Sequence, residues 1–128
     1  MPERKYNDTQ SNPLYPHIYL EIPGTEDFQR VADFDDGGGY DWTTWVAWYS
    51  PSRRRYFIAS GSGCSCNSLS QDIYTIEDFT ALASKEAVKE DLRTFIAGRC
   101  EGWRVAERPS INDELAAINA FKPTKEER

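Results

Sequence analysis

The sequence predicts an α+β fold: a four-stranded antiparallel sheet in meander order, followed by two or three helices packed on one face. Three observations predict it. Four short segments with alternating or β-branched and aromatic character come first. Turn residues separate them, namely Pro23-Gly24, Gly37-Gly38-Gly39 and Ser50-Pro51-Ser52. Helical spacing begins only after residue 75, and strands followed by helices is the order of a segregated α+β domain.

The first strand is expected over Tyr15 to Ile22, with Ile18, Leu20 and Ile22 on one face and His17, Tyr19 and Glu21 on the other. Phe28 to Phe34 follows as a less regular second strand. It runs into Asp35, Asp36 and three glycines, which permit a tight reversal with positive φ. Tyr40 to Tyr49 is the strongest strand signal and is apolar on both faces, as a covered central strand requires. A turn at Ser50 to Arg53 pairs it in a hairpin with a fourth strand, Arg55 to Ser60. Thr75 then reads as an N-cap ahead of Ile76, Glu77 and Asp78, with Phe79, Leu82 and Ala83 at helical spacing. Ser84 offers a second cap, before Ala87, Val88, Leu92, Phe95 and Ile96, and Gly98 is a natural stop. The spacing leaves open whether residues 76–97 form one helix or two. Trp103 to Ala106 suits a short extended piece, and Ser110 caps a last helix whose stripe is Ile111, Leu115, Ile118 and Phe121.

The 128 residues suit one domain with one core. Residues 1–14 and 123–128 read as flexible tails around a folded unit at 15–122. No apolar run approaches the roughly 20 residues that span a bilayer, and the N-terminus lacks the apolar core of a secretory signal. Three cysteines, an odd number, favour reduced thiols and a cytoplasmic setting. The net charge of −6 is concentrated. From Glu21 to Asp41 seven carboxylates face Arg30 alone, which leaves the rest of the chain balanced. Such a field repels nucleic acid and attracts basic partners or cations.

The most distinctive segment is Ser60-Gly61-Ser62-Gly63-Cys64-Ser65-Cys66. Its metal reading takes Cys64, Cys66 and Cys100 as thiolates and His17 or a carboxylate as a fourth ligand for zinc. One residue between the paired cysteines departs from the two to four usual in zinc sites, and from the two of a redox pair. Small buried side chains in a tight loop therefore outweigh both readings. His17 is the chain's one histidine, so a cysteine nucleophile would have only that base. No catalytic residue emerges. Asp33 to Gly37 has the look of a calcium loop, but Thr44 stands where a bidentate glutamate belongs. Arg53-Arg54-Arg55, beside Trp45, Trp48 and Tyr49, offers a nucleic-acid contact. The acidic balance favours instead a charged tip that keeps the hairpin from pairing edge to edge.

The run Asp33-Phe34-Asp35-Asp36, Tyr40-Asp41-Trp42 and Tyr56-Phe57-Ile58-Ala59-Ser60 into the Gly-Ser-Gly-Cys-Ser-Cys loop resembles a family of small uncharacterised proteins in tailed phages of actinobacteria. Their shared features are an aromatic strand, a Ser-Gly-Cys-Ser-Cys loop and a short acidic segment that starts a helix. The resemblance covers about residues 30–80, with Ile73 to Phe79 as the acidic segment. It implies a phage origin and an accessory role on a host protein, and no mechanism.

The expected function is thus a non-catalytic protein that binds a host or phage protein in the host cytoplasm. The expected surface is Asp33, Asp35, Asp36, Asp41, Trp42, Trp45, Trp48 and Tyr49, since concentrated charge beside Trp and Tyr marks protein interfaces. The alternatives are a metal- or thiol-dependent protein built on Cys64 and Cys66, and a nucleic-acid binder using Arg53 to Arg55. A homodimer through the aromatic face would also cover that face.

Overall fold

A computed structural model describes residues 12–15, 17–35, 41–64, 69–99 and 110–123. Its sheet is a four-stranded antiparallel meander, β1 (Gln29–Asp35), β2 (Asp41–Ser50), β3 (Arg55–Cys64) and β4 (Thr80–Leu82), in spatial order 1-2-3-4. Two helices follow, α1 (Lys85–Arg99) and α2 (Asn112–Ala120), and both pack on one face. The α+β class and the meander are as the sequence predicts, and β1, β2 and β3 match three of its four expected strands, but the remaining strand is not the one it picks out.

The first difference is Tyr15 to Ile22, which contributes no strand to this sheet. The apolar alternation is real, since Ile18, Leu20 and Ile22 are buried. The preceding turn sets the local backbone instead. Tyr15 N–H bonds the Asn12 carbonyl, and Ile18 N–H bonds that of Leu14 at 2.8 Å. Asn12 templates this turn, accepting from Leu14 N–H at 3.0 Å and donating to the Ile18 carbonyl at 3.1 Å. The result is an irregular strap, residues 12–15 and 17–28, laid across the sheet. Asn12 and Leu14, expected in a flexible tail, are core residues, and Leu14 is 0% exposed.

The second difference is Thr80–Leu82, expected in a helix and found as the short edge strand β4 against Tyr56 to Ile58. Asp78 accepts the Tyr74 and Thr75 N–H groups, so the Thr75 start yields only one 3-10 turn, Ile76–Asp78. Phe79 then turns extended at φ −85° and ψ 155° and delivers its ring to the sheet. Only the second cap begins an α-helix, with Ser84 Oγ accepting the Ala87 N–H at 3.1 Å. Residues 76–97 are therefore not one helix, and α1 runs one residue past Gly98. The expected piece at Trp103 to Ala106 lies outside the described residues.

The register of β2 with β3 runs unbroken from Asp41 opposite Cys64 to Ser50 opposite Arg55. Alternation along β2 sends Trp42, Val46 and Trp48 to the strap face and Trp45, Ala47 and Tyr49 to the helix face. A bulge between Arg30 and Ala32 in β1 turns both Val31 and Ala32 toward the helices. The strap-side core joins Leu14, Ile18, Leu20 and Ile22 to Phe28, Trp48, Phe57 and Phe79. Phe28 stacks on Phe57 at 5.0 Å, and Phe79 meets Trp48 edge-on at 5.7 Å. Across the sheet Trp45, Ile58, Val88, Leu92, Ile96 and Ile118 form the second core. Lys85 Nζ donates to the Asn119 and Phe121 carbonyls, tying the start of α1 to the end of α2.

Candidate functional site: the acidic end of the sheet

Pairing register decides which sequence-predicted residues meet. The end of β1, the start of β2 and the end of β3 lie at one end of the sheet. There Asp35 is opposite Thr44, and Asp41 is opposite Cys64. The acidic segment and the start of the cysteine loop are thereby brought together. Trp42 is half-buried at this end, its ring against the Gly61 position, where a Cβ would meet it at 3.7 Å. Asp35 is exposed and accepts the Thr44 hydroxyl at 3.3 Å.

Asp33 is half-exposed on the strap face of β1. Its Oδ2 lies 2.9 Å from His17 Nε2 and 3.8 Å from an Arg30 nitrogen. The hydrogen bond from His17 holds its carboxyl below the usual carboxylate range. Burial opposes that shift, while the charges on His17 and Arg30 reinforce it. Asp36 lies outside the described residues.

The expected aromatic half of the surface is not at the surface. Trp45 and Trp48 are both 0% exposed, on opposite faces of the sheet. Each indole N–H is also bonded internally, Trp45 to Asp91 Oδ1 at 2.9 Å and Trp48 to the Pro13 carbonyl at 3.1 Å. Tyr49 packs with Tyr56 and Phe121 near the far end of β2. The physical reason is that both faces of β2 are covered, one by helices and one by the strap. Of the expected aromatics only Trp42 stays beside the acids.

The metal set also divides. His17 is anchored at Asp33, whose register places it opposite Val46 and hence level with Ala59. Cys64 lies five residues farther along β3, roughly 16 Å along the strand. His17 therefore does not join Cys64 in a ligand set. Cys66 and Cys100 lie outside the described residues, and among those described no three His, Cys, Asp or Glu side chains gather as a metal site.

Arg53 to Arg55 sit at the opposite end of the hairpin, about 30 Å from Asp41 along the strands. They serve the turn. Arg53 donates to the Gly24 carbonyl at 2.9 Å, and Arg54 occupies the left-handed region at φ 56°. Asp27 completes this corner, accepting from Ser50 Oγ at 2.9 Å and from Ser52 N–H at 2.9 Å. Burial works to raise the Asp27 carboxyl, but the bonds from Ser52 and Ser50 and the Arg53 charge together hold it low.

Sequence reasoning missed Asn12, Asp27 and Asp91 as partners of distant groups. Asn12-Pro13 carries a recognisable turn signal. Nothing local marks Asp27 for Ser50, 23 positions on, or Asp91 for Trp45, 46 positions back.

No described helix is long and apolar enough to cross a membrane. No curated protein and no solved structure matches the chain. A family model described as a domain of unknown function, DUF7574, matches residues 19–119, which takes in the whole sheet, α1 and nearly all of α2. With that much of its 128 residues matched, the chain belongs to the DUF7574 family.

Proposed function

We propose that this chain is a non-catalytic accessory protein of a phage that binds a basic patch on a host or phage protein, in the host cytoplasm, through the acidic end of its sheet. The observation that supports this reading most is the register. Asp35 on β1 and Asp41 on β2 both sit at the sheet end that holds Trp42, while the arginine turn lies about 30 Å away. Carboxylates gathered at one end attract a basic partner over roughly 8–10 Å at ordinary salt and accelerate its encounter. Trp42, half-buried at the same sheet end, supplies the kind of apolar contact on which interfaces centre. Phage origin rests on the sequence resemblance.

Capture from host lysate with the immobilised chain tests the reading. The comparison is between an Asp35→Lys, Asp41→Lys variant and an Arg53→Glu, Arg55→Glu variant. The acidic-end variant should lose the captured protein at least tenfold, and the turn variant should retain it. Binding of the wild-type chain should weaken as salt rises. Equal capture by both variants rejects the acidic end as the binding surface. Loss only in the turn variant moves the site to the arginines.

A further inference from the structure

We propose that the His17–Asp33 contact is a pH-responsive latch, which holds the strap to β1 more tightly when the imidazole is protonated. His17 is the one histidine of the chain. Its side chain is only 10% exposed, yet its Nε2 lies 2.9 Å from a carboxylate on a different element. The residue is also well placed to report on the strap. Its backbone N–H bonds the Leu14 carbonyl, and its neighbours Leu14 and Ile18 are wholly buried against the sheet. Displacing His17 therefore disturbs the turn that seats both.

The chemistry gives the latch two strengths. A neutral imidazole donates one hydrogen bond to the ionised carboxylate. An imidazolium adds an ion pair to that bond and so holds the carboxylate more strongly. Imidazole is the side chain whose ordinary titration falls between pH 5 and 8. Asp33 stays ionised across that window, because its carboxyl is held below the usual range. Arg30, 3.8 Å from the same oxygen, keeps a cation beside Asp33 when the latch opens, so opening leaves no orphaned charge. It also opposes the imidazolium, weakly, since its own side chain is 49% exposed and screened by water.

Among the described residues of the strap itself, Glu21 is exposed and Asp27 is held by Ser50 and Ser52. On β1, Asp35 shares the face of Asp33 but accepts from Thr44. The β2 residues on this face, Thr44, Val46 and Trp48, carry no charge. In the 69–79 layer that shares this core, Asp72, Glu77 and Asp78 are exposed, and Asp78 is occupied by the Tyr74 and Thr75 N–H groups.

Amide hydrogen exchange on the full chain at pH 5.5 and 7.5, corrected for intrinsic exchange, tests the latch. Protection of the His17 and Ile18 amides should be on the order of threefold to tenfold higher at pH 5.5, relative to the Val46 and Trp48 amides of β2. His17→Gln keeps an N–H donor but cannot titrate, and should remove that difference. Equal relative protection at the two pH values in the wild-type chain overturns the proposal. So does an unchanged pH response in His17→Gln. Should that variant fail to fold, the wild-type comparison still decides the matter.

Discussion

The two faces of the sheet each hold a buried core and are covered by opposite means. On one face α1 and α2 satisfy their backbone groups internally and need only present an apolar stripe, Val88, Leu92, Ile96 and Ile118. On the other face the strap has no helical or strand ladder of its own. Its polar groups are met by isolated turn bonds and, one at a time, by side chains. Asn12 bonds Leu14 and Ile18, Ser70 Oγ accepts the Tyr19 N–H, Thr25 Oγ1 donates to the Ile22 carbonyl, and Trp48 caps the Pro13 carbonyl. An irregular segment can thus bury as completely as a helix, provided specific side chains replace the missing regular bonds. The consequence is that the strap face depends on individual residues in a way the helix face does not.

The largest test of that equivalence is at the two buried tryptophans. Trp45→Ala and Trp48→Ala should each cost about 3–5 kcal/mol in urea unfolding, since each removes a wholly buried ring and leaves a cavity. Each also strips a partner, the Asp91 carboxylate on one face and the Pro13 carbonyl on the other. A cost at Trp48 under about 1 kcal/mol would mean the strap collapses easily into the gap, and the two faces would not be equivalent.

A second comparison sets Leu14 against Leu92, both 0% exposed, one on the strap and one on α1. Leu14→Ala and Leu92→Ala should each destabilise by about 2–5 kcal/mol, read from the shift in the denaturation midpoint. A flexible tail residue would give less than about 0.5 kcal/mol at Leu14, the value expected of a surface substitution. That result would return Leu14 to the tail the sequence suggests.

What was legible in the sequence follows the same divide. The hairpin of β2 and β3 was plain, because aromatic and β-branched runs around Pro51 leave few alternatives. So was the Ser84 start of α1, because a cap is a local signal, and so was α2 from its spacing, although Ile111 and not Ser110 holds its N-cap position. The strap was misread as a strand because Ile18, Leu20 and Ile22 do alternate, and alternation records burial rather than ladder pairing. Thr80 to Leu82 was misread as helix because local spacing near Thr75 cannot anticipate that Tyr56 to Ile58 offers a free edge. At the candidate site the acids were legible as a charge run. Their companions were not, since the burial of Trp45 and Trp48 depends on cover from residues 30 or more positions away, Asp91 and Pro13 among them.

The smallest expected effect concerns acid, and it sharpens the comparison because both carboxylates involved serve the strap side. Asp27 closes the end of the strap onto Ser50 and Ser52, and Asp33 holds His17. Both carboxyls are held below their ordinary value in the folded chain. A group with a lowered native pKa contributes stability that is complete above the unfolded value, near 3.9 for aspartate, and is lost as pH falls through the lower native value. Stability should therefore hold down to about pH 4 and decline below it. In the Asp27→Asn, Asp33→Asn double variant the decline should be shallower, by about 1 kcal/mol between pH 4.5 and 2.5. That figure is kept small because the Asp33 side chain is 42% exposed and screened. Urea unfolding across that range measures it. A double variant that falls as steeply as the wild type would place the acid sensitivity elsewhere. Its loss from the variant would mark the strap side as the face that acid loosens, and not the helix face, where Asp91 accepts the Trp45 indole N–H.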